Sequence, residues 1–345
     1  MVVPAEIIHV THAQSLRSYL GKECRRLVII DPEELWFDGT LQGAVIIMAE
    51  KRSGPREKAE GVGILPVRGR SFATRPPSEV FAEPKSINGK TVAGKWTRAL
   101  LDAETIGLLD ELEAHPDVHR FEKLASVDVG IVTGANKFFL VHDDTVAAYK
   151  LSKYAHPMFG RSEHCPGVIY DEIQHAANAR TGSPTNFIWF DNGSERISGK
   201  AKKYIESGEV EKLHTRYKCR IRTPWYKVPS VYSTEVGMLK RCHDTPRLIW
   251  NKMGAYTTDT AYRIRTKGCE GARLVGCFIN PLTAISAELE GRHYGGGVLE
   301  LVPSEIERLL IPMPKAYAPD LSEIDSSVRS RSADETLANQ SEKVL

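Results

Sequence analysis

Residues 200–227 combine positive charge with aromatic rings in one stretch of the chain, KAKKYIESGEVEKLHTRYKCRIRTPWYK. The stretch holds nine lysines and arginines against three glutamates, a local net charge of +6, whereas the whole chain of 345 residues carries only +2. Four aromatic side chains are interspersed with the cations: Tyr204, Tyr217, Trp225 and Tyr226. Cations neutralise phosphates and flat rings stack on bases, so this composition indicates binding to a nucleic acid.

The cations between residues 216 and 222 stand at every second position. They are Arg216, Lys218, Arg220 and Arg222. A period of two predicts a β-strand that carries all four cations on one face. The other face would carry Tyr217, Cys219 and Ile221. An ordinary solvated face of a strand or helix is the alternative interpretation of the same charges.

Sequence motifs for catalysis or metal binding are missing. The chain has no Gly-x-Gly-x-x-Gly after a strand, no P-loop, no Gly-x-Ser-x-Gly and no His-Glu-x-x-His. Its six cysteines are scattered and form no Cys-x-x-Cys pair, which predicts reduced thiols rather than a metal site. Glu163-His164 brings an acid and an imidazole together, but a surface loop or a DNA-contacting loop is the favoured interpretation, and the acidic pair Asp171-Glu172 is explained by a place in a loop. The sequence therefore predicts no catalytic residue and no metal ligand.

The overall composition is that of a globular protein, with 41% hydrophobic and 26% charged residues. No run of 18 apolar residues occurs, so no membrane span is expected. The first residues lack a basic segment followed by an apolar one, so we expect no secretory signal and a cytoplasmic protein.

Four regions are predicted along the chain from changes in residue pattern. Residues 1–55 have the short apolar strands and helix of an α/β unit, and residues 56–125 form a linker and an amphipathic helix over residues 97–114. Residues 126–315 alternate short strands with helices, which predicts a mixed α+β domain. Residues 316–345 are polar and poor in aromatic residues, which predicts a disordered tail.

Five segments of residues 130–314 carry a resemblance to one family, in the same order along the chain. They are GIVTGANKFFLV (130–141), FGRSEHCPG (159–167), YIESGE (204–209), HTRYKCRIRTPWY (214–226) and RHYGGGVLELVPSEIERLLIPMP (292–314). Together they closely resemble the γ-type N6-adenine DNA methyltransferases of restriction–modification systems, in the PstI/BsuBI-like and Eco57I-like branch. In that family the matching segments lie in and around the DNA target-recognition domain.

The N-terminal strands resemble a different part of the same family. LVIIDPEELWF (27–37) and AVIIMAEK (44–51) are similar to the last part of its catalytic domain. The resemblance implies an α/β remnant of a Rossmann-like methyltransferase sheet, followed by the target-recognition domain.

The chain departs from the family in its catalytic motifs. Catalysis in that family needs an (N/D)PP(Y/F) loop that holds the flipped adenine, and this sequence contains no such tetrapeptide. The glycine-rich turn for S-adenosylmethionine would lie upstream of Met1. The resemblance therefore implies no cofactor on this chain and a catalytic partner subunit that binds S-adenosylmethionine. The alternative is a stand-alone DNA-binding protein from a truncated methyltransferase gene. A nuclease is a weaker third interpretation.

The resemblance also implies double-stranded DNA as a partner and assigns roles to twelve residues. The residues expected to hold phosphates, with one or two arginines reading guanine instead, are Lys202, Lys203, Arg216, Lys218, Arg220 and Arg222. The rings that could stack or wedge are Tyr217, Trp225 and Tyr226, with a place in the core as the alternative for Trp225 and Tyr226. The loop residues expected near DNA are Asn136, Lys137 and Arg161, with bracing of a partner's catalytic loop as the alternative for Asn136 and Lys137.

Overall fold

The computed structural model describes residues 1–34, 36–37, 43–191, 196–294 and 297–344. Within these residues the strands, numbered β1 to β18 in chain order, are Val2–Pro4, Cys24–Pro32, Ala44–Lys51, Gly61–Val67, Val118–Arg120, Ala125–Val129, Leu140–Val141, Ala155–Phe159, Ile169–Tyr170, Asn186–Ile188, Val236–Leu239, Arg241–Cys242, Leu248–Asn251, Tyr256–Thr257, Ala261–Thr266, Arg292–Tyr294, Val298–Glu300 and Leu310–Pro312.

The α-helices are short and alternate with these strands. Numbered α1 to α14, they are Gln14–Glu23, Pro77–Ala82, Ala103–Ala114, Phe121–Leu124, Asn136–Phe139, Asp143–Tyr149, Glu172–Arg180, Gly199–Val210, Tyr217–Arg220, Gly271–Phe278, Pro281–Glu290, Pro303–Ile306, Leu321–Ser330 and Ala333–Val344. Among the helices of the described ranges, none is long and apolar enough to cross a membrane.

The chain forms two compact units. The first consists of Met1–Val118 with Leu282–Leu310, and the second of His119–Pro281 with Ile311–Leu345. The linear boundaries predicted at residues 55 and 125 differ from this division. The segment from Leu282 to Leu310 belongs with the N-terminal residues, a long-range association that sequence pattern does not reveal.

A four-stranded sheet forms the centre of the first unit, in the order β1-β3-β2-β4. Strand β2 pairs antiparallel with β3 and parallel with β4. Its run from Leu27 to Ile30 is almost fully buried, as the uninterrupted apolar run predicts for a strand covered on both faces. Isoleucines and valines of the neighbouring strands complete the core, together with Trp96.

The amphipathic helix predicted for residues 97–114 is split in the structure. A 3₁₀ segment covers Trp96–Leu100, and α3 begins only at Ala103. Asp102 stands at the N-cap, where its carboxylate accepts a hydrogen bond from the Thr105 amide at 2.7 Å. This contact satisfies a backbone donor that the first turn leaves free, so the cap fixes the start of the helix.

A buried histidine makes the stability of the first unit sensitive to acid. His9 is 4% exposed, and burial, with the positive charges of His293, Lys95, Arg292 and Arg17, lowers its pKa from 6.5 to about 3. In the unfolded chain His9 binds a proton below pH 6.5, whereas in the fold it does so only near pH 3. Stability contributed by neutral His9 is therefore complete above pH 6.5 and is lost as the pH falls towards 3.

We expect the free energy of unfolding of the first unit to fall by about 2 kcal/mol between pH 7 and pH 4.5 through His9. The substitution His9→Gln removes this titration, so its unfolding free energy should change less over the same interval. Urea titrations at several pH values measure the difference. The exposed His12→Gln variant is the control. An identical pH profile for wild type and His9→Gln would contradict the prediction.

Two further sheets and an aromatic core build the second unit. One sheet has the strand order β6-β15-β11-β13-β9 and the other β14-β8-β10-β7. A large buried cluster joins the second sheet to α8, with Phe138 stacked on Tyr204 at 4.5 Å between ring centroids. The Tyr204 hydroxyl donates to the Phe138 carbonyl oxygen at 2.6 Å, so α8 is fastened to α5.

The tail predicted to be disordered is helical in the structure. Residues 321–330 and 333–344 form α13 and α14, and apolar Leu321 and Ile324 are buried three positions apart. The composition is polar because the outer faces are solvated, but one helical stripe is sufficient for packing. The Asp325 carboxylate of α13 accepts hydrogen bonds from the amides of Val168 and Ile169 at 2.7 and 2.8 Å. This helix therefore holds the end of the 159–167 loop in place.

Candidate nucleic-acid interface

The cationic segment around residues 213–222 is helical, so the predicted strand is wrong. A 3₁₀ turn covers Leu213–Thr215 and α9 covers Tyr217–Arg220. Leu213 and Cys219 are the buried side chains, whereas Tyr217 and Ile221, which would share a strand face with Cys219, are each 62% exposed. The alternating cations predicted a strand wrongly, because charged side chains can all remain in water without lying on the same face of an element.

Helix α9 lies directly on the turn formed by residues 133–136. Gly134 has φ +81°, and a Cβ added there would stand 2.7 Å from the Lys218 Cβ. The Cys219 sulfur is 3.9 Å from the Thr133 carbonyl oxygen. Glycine is needed here for its backbone conformation and for the close approach of the helix.

Arg222 fastens the same two segments with its guanidinium group. It donates to the carbonyl oxygens of Val132 and Thr133, each at 2.7 Å. Burial lowers the pKa of Arg222. The guanidinium group is therefore bound by two backbone carbonyl oxygens, and it stabilises the position of α9 against the 133–136 turn.

The remaining cations of this segment point to solvent. Arg216, Lys218 and Arg220 are exposed, and no carboxylate of the described residues forms an ion pair with any of them. Lys202 and Lys203 are exposed on α8, where Lys202 pairs with Glu206 at 3.4 Å. A pair between two exposed side chains contributes little free energy, so Lys202 can exchange Glu206 for another anion.

The three aromatic side chains predicted to contact DNA differ in their exposure to solvent. Tyr217 is 62% exposed, with the Lys218 Nζ and the Arg220 Cζ at 5.4 and 5.5 Å from its ring centroid. Trp225 is only 8% exposed, and its indole nitrogen donates to the Glu209 carboxylate at 3.1 Å. Trp225 therefore belongs to the core.

Tyr226 occupies an intermediate position at the edge of the same core. It is half-buried, and its ring lies 5.5 Å from that of Phe190 in an edge contact. Burial raises the pKa of its hydroxyl. Of the three rings, Tyr217 alone is fully available to a partner.

The three predicted loop residues line one groove of about 490 Å³. Asn136 stands at its edge on α5, where it donates to the Asp259 carboxylate at 3.3 Å and accepts from the Thr133 hydroxyl. Lys137 and Arg161 supply positive charge from two distant parts of the sequence. Arg161 is exposed and pairs with Glu163 at 3.3 Å.

The acidic groupings of the sequence serve the fold. His164 is buried, and its Nδ1 accepts a hydrogen bond from the Gly160 amide at 3.2 Å. The neighbouring Glu163 is exposed and pairs with Arg161 instead. Asp171 caps α7 by accepting from the Gln174 amide at 2.9 Å. Across the described part of the chain, no three histidine, cysteine or acidic side chains are grouped to hold a metal ion.

One cluster beside this surface was missed by the sequence reasoning. The Arg263 and Arg265 guanidinium carbons lie 3.6 and 4.4 Å from the ring centroid of Tyr232, whose hydroxyl donates to Asp128 at 2.7 Å. Arg263 also donates to the Val129 carbonyl oxygen at 2.6 Å. The only sequence signal is the spacing of Arg263 and Arg265 on β15. Tyr232 meets them through tertiary folding.

The Gly134→Ala substitution should displace α9 without changing any charge. The added Cβ meets Lys218 and also carries the cost of a positive φ. On the sequence-based expectation that this surface binds DNA, we predict about a tenfold loss of affinity for duplex DNA, or about 1.4 kcal/mol. Gly182→Ala is the matched control, because Gly182 has φ +77° with no atom near the added Cβ. Fluorescence anisotropy with duplex DNA measures both variants. Equal losses would show that the contact with α9 is unimportant.

Comparison with known proteins identifies a family model and a related sequence. Residues 93–345 match the family model described as type II methyltransferase M.Eco57I, C-terminal domain. The type II methyltransferase M.AccI of Acinetobacter calcoaceticus is 21% identical over 235 residues, which cover 66% of this chain and 42% of that protein. The chain thus spans less than half the length of this curated relative.

A solved structure is similar over most of the chain. It is the type IIG restriction endonuclease BpuSI, which matches 96% of this chain and 42% of its own, with a TM-score of 0.45 and 12% identity. The family model itself covers well over half of the residues. The chain therefore belongs to the family of the C-terminal domain of type II methyltransferase M.Eco57I.

Proposed function

We propose that this chain is the DNA-recognition part of a site-specific DNA adenine-N6 methyltransferase of a restriction–modification system. The observation that carries the proposal is the set of exposed cations Arg216, Lys218 and Arg220 on a helix that is braced from below. Free cations on a rigid support pair with phosphates at little cost in conformational entropy.

The groove beside α5 extends this surface. Lys137 and Arg161 line it and add two positive charges, while Asn136 presents an amide that can hydrogen-bond to phosphate or to a base edge. Lys202 and Lys203 add charge from α8. Phosphate contacts by these residues would set the register of the protein on the duplex, and the groups that reach base edges would select the sequence.

Methyl transfer in this proposal needs a catalytic partner. The sequence of this chain contains neither an (N/D)PP(Y/F) loop nor a glycine-rich turn that opens a helix after a strand. We therefore assign adenine capture and S-adenosylmethionine binding to the partner. The sheet of the first unit, with its buried β2 between β3 and β4, would be the remnant of a Rossmann-like methyltransferase sheet.

The test measures binding of the purified chain to short duplex DNA at several salt concentrations. With one phosphate contact from each of the seven cations named above, the logarithm of the affinity should fall against the logarithm of the salt concentration with a slope of about −6.3. The chain alone should bind no S-adenosylmethionine in calorimetry and should methylate no DNA. A slope near zero would contradict the DNA-recognition role. Micromolar binding of S-adenosylmethionine would contradict the assignment of the cofactor to a partner.

A further inference from the structure

Helix α9 presents an exposed apolar surface in the middle of the cations. Tyr217, the first residue of α9, and Ile221, which directly follows the helix, are each 62% exposed and stand four positions apart in the chain. We name the side chains of Tyr217 and Ile221 the apolar tip. Single exposed apolar residues are common, but a group on one short segment marks an interaction site.

The segment beneath the apolar tip is fixed, so the tip cannot turn inwards. Cys219 on the opposite face is fully buried, and the Gly134 turn is in close contact with Lys218. The two hydrogen bonds of Arg222 close the end of the helix. A rigid apolar projection can enter a partner without first losing conformational entropy.

Cations surround the apolar tip, and their charge favours a partner that carries negative charge. Lys218 and Arg220 lie against the Tyr217 ring, and Arg216 precedes it. A protein that buried this surface would have to neutralise three cations at an apolar contact. Duplex DNA offers phosphates for the cations and, between its base pairs, an apolar stack for the tip.

We propose that Tyr217 and Ile221 enter the stack of duplex DNA as a wedge and open one base step, while the neighbouring cations hold the flanking phosphates. This rests on the proposed DNA-recognition function and adds a deformation of the DNA to it. The wedge must separate two stacked base pairs. Binding should therefore be tighter when the step is already open.

The experiment compares two short duplexes that are identical except for a central abasic site in one of them. Anisotropy titrations of the full chain at one salt concentration should give about tenfold tighter binding to the abasic duplex. The double variant Tyr217→Ala/Ile221→Ala should bind both duplexes equally. Its salt dependence should equal that of wild type, because the cations are still present.

Ile173→Ala is the matched control, since Ile173 is 77% exposed on α7 and lies outside the apolar tip. It should keep the preference for the abasic duplex. Equal binding of both duplexes by wild type, or a preference that persists in the double variant, would overturn the wedge while leaving DNA recognition in place. An absence of salt-dependent binding to either duplex would overturn the proposed function, and the wedge with it.

Discussion

Replacement of Arg216, Lys218 and Arg220 by alanine together should reduce the affinity for duplex DNA by about 10³-fold at moderate salt. Each side chain is exposed on α9 and has no carboxylate partner within the described residues, so each is available to one phosphate. A charge-assisted contact contributes about 1.5 kcal/mol, and three of them give the expected loss. The slope of log affinity against log salt should become less negative by about 2.7.

The control for this variant removes the same charge from another exposed segment. Lys51, Arg56 and Lys58 are exposed on the first unit, and their joint replacement by alanine changes the net charge equally. We expect a small loss of affinity and an unchanged slope. If both triple variants lost affinity to the same extent, the effect would come from net charge, and α9 would have no particular role.

Trp225→Ala should lower the free energy of unfolding of the second unit by about 4 kcal/mol. The indole is 8% exposed, lies 5.1 Å from the Phe138 ring between centroids, and fills the space next to Gly208. Its removal leaves a cavity that the surrounding rings cannot close completely. Urea denaturation followed by circular dichroism measures the loss.

Two further variants, one in the core and one at the surface, separate the loss of core packing from the loss of an exposed ring. Trp225→Phe keeps a ring in the core but loses the hydrogen bond to Glu209, so about 1.5 kcal/mol should be lost. Tyr217→Ala alters an exposed ring and should leave the unfolding free energy within about 0.5 kcal/mol of wild type. A Trp225→Ala protein of normal stability with weakened DNA binding would instead indicate that Trp225 contacts DNA.

The exposure of the cations could be predicted from sequence, because it depends on the hydration free energy of each charged group and not on the element that carries it. Removing a guanidinium or an ammonium group from water without a partner is costly, so Arg216, Lys218 and Arg220 stay at the surface in a strand or in a helix. The type of element could not be predicted in the same way. It depends on where Leu213 and Cys219 find a core, and that core comes from residues far away in the sequence.

The role of each aromatic ring was equally inaccessible to sequence reasoning. Tyr217 and Trp225 are eight positions apart in the same basic stretch, yet one is exposed and the other buried. The difference arises because α8 supplies Gly208 and Glu209 as neighbours for the indole. The apolar run of β2, by contrast, predicted its own burial, since the whole signal lies within consecutive residues.

The bracing of α9 by the 133–136 turn has a consequence for engineering and evolution of specificity. Residues 130–141 and 213–228 are separated by more than seventy positions, but Gly134 and Arg222 join them into one mechanical unit. A chimera that takes only the cationic segment from a relative would lack the matching 133–136 turn that supports this segment. The side chains of the grafted segment would then be misplaced. Under the proposed DNA-recognition function, both segments must be transplanted together, and new recognition sequences should arise by their concerted replacement.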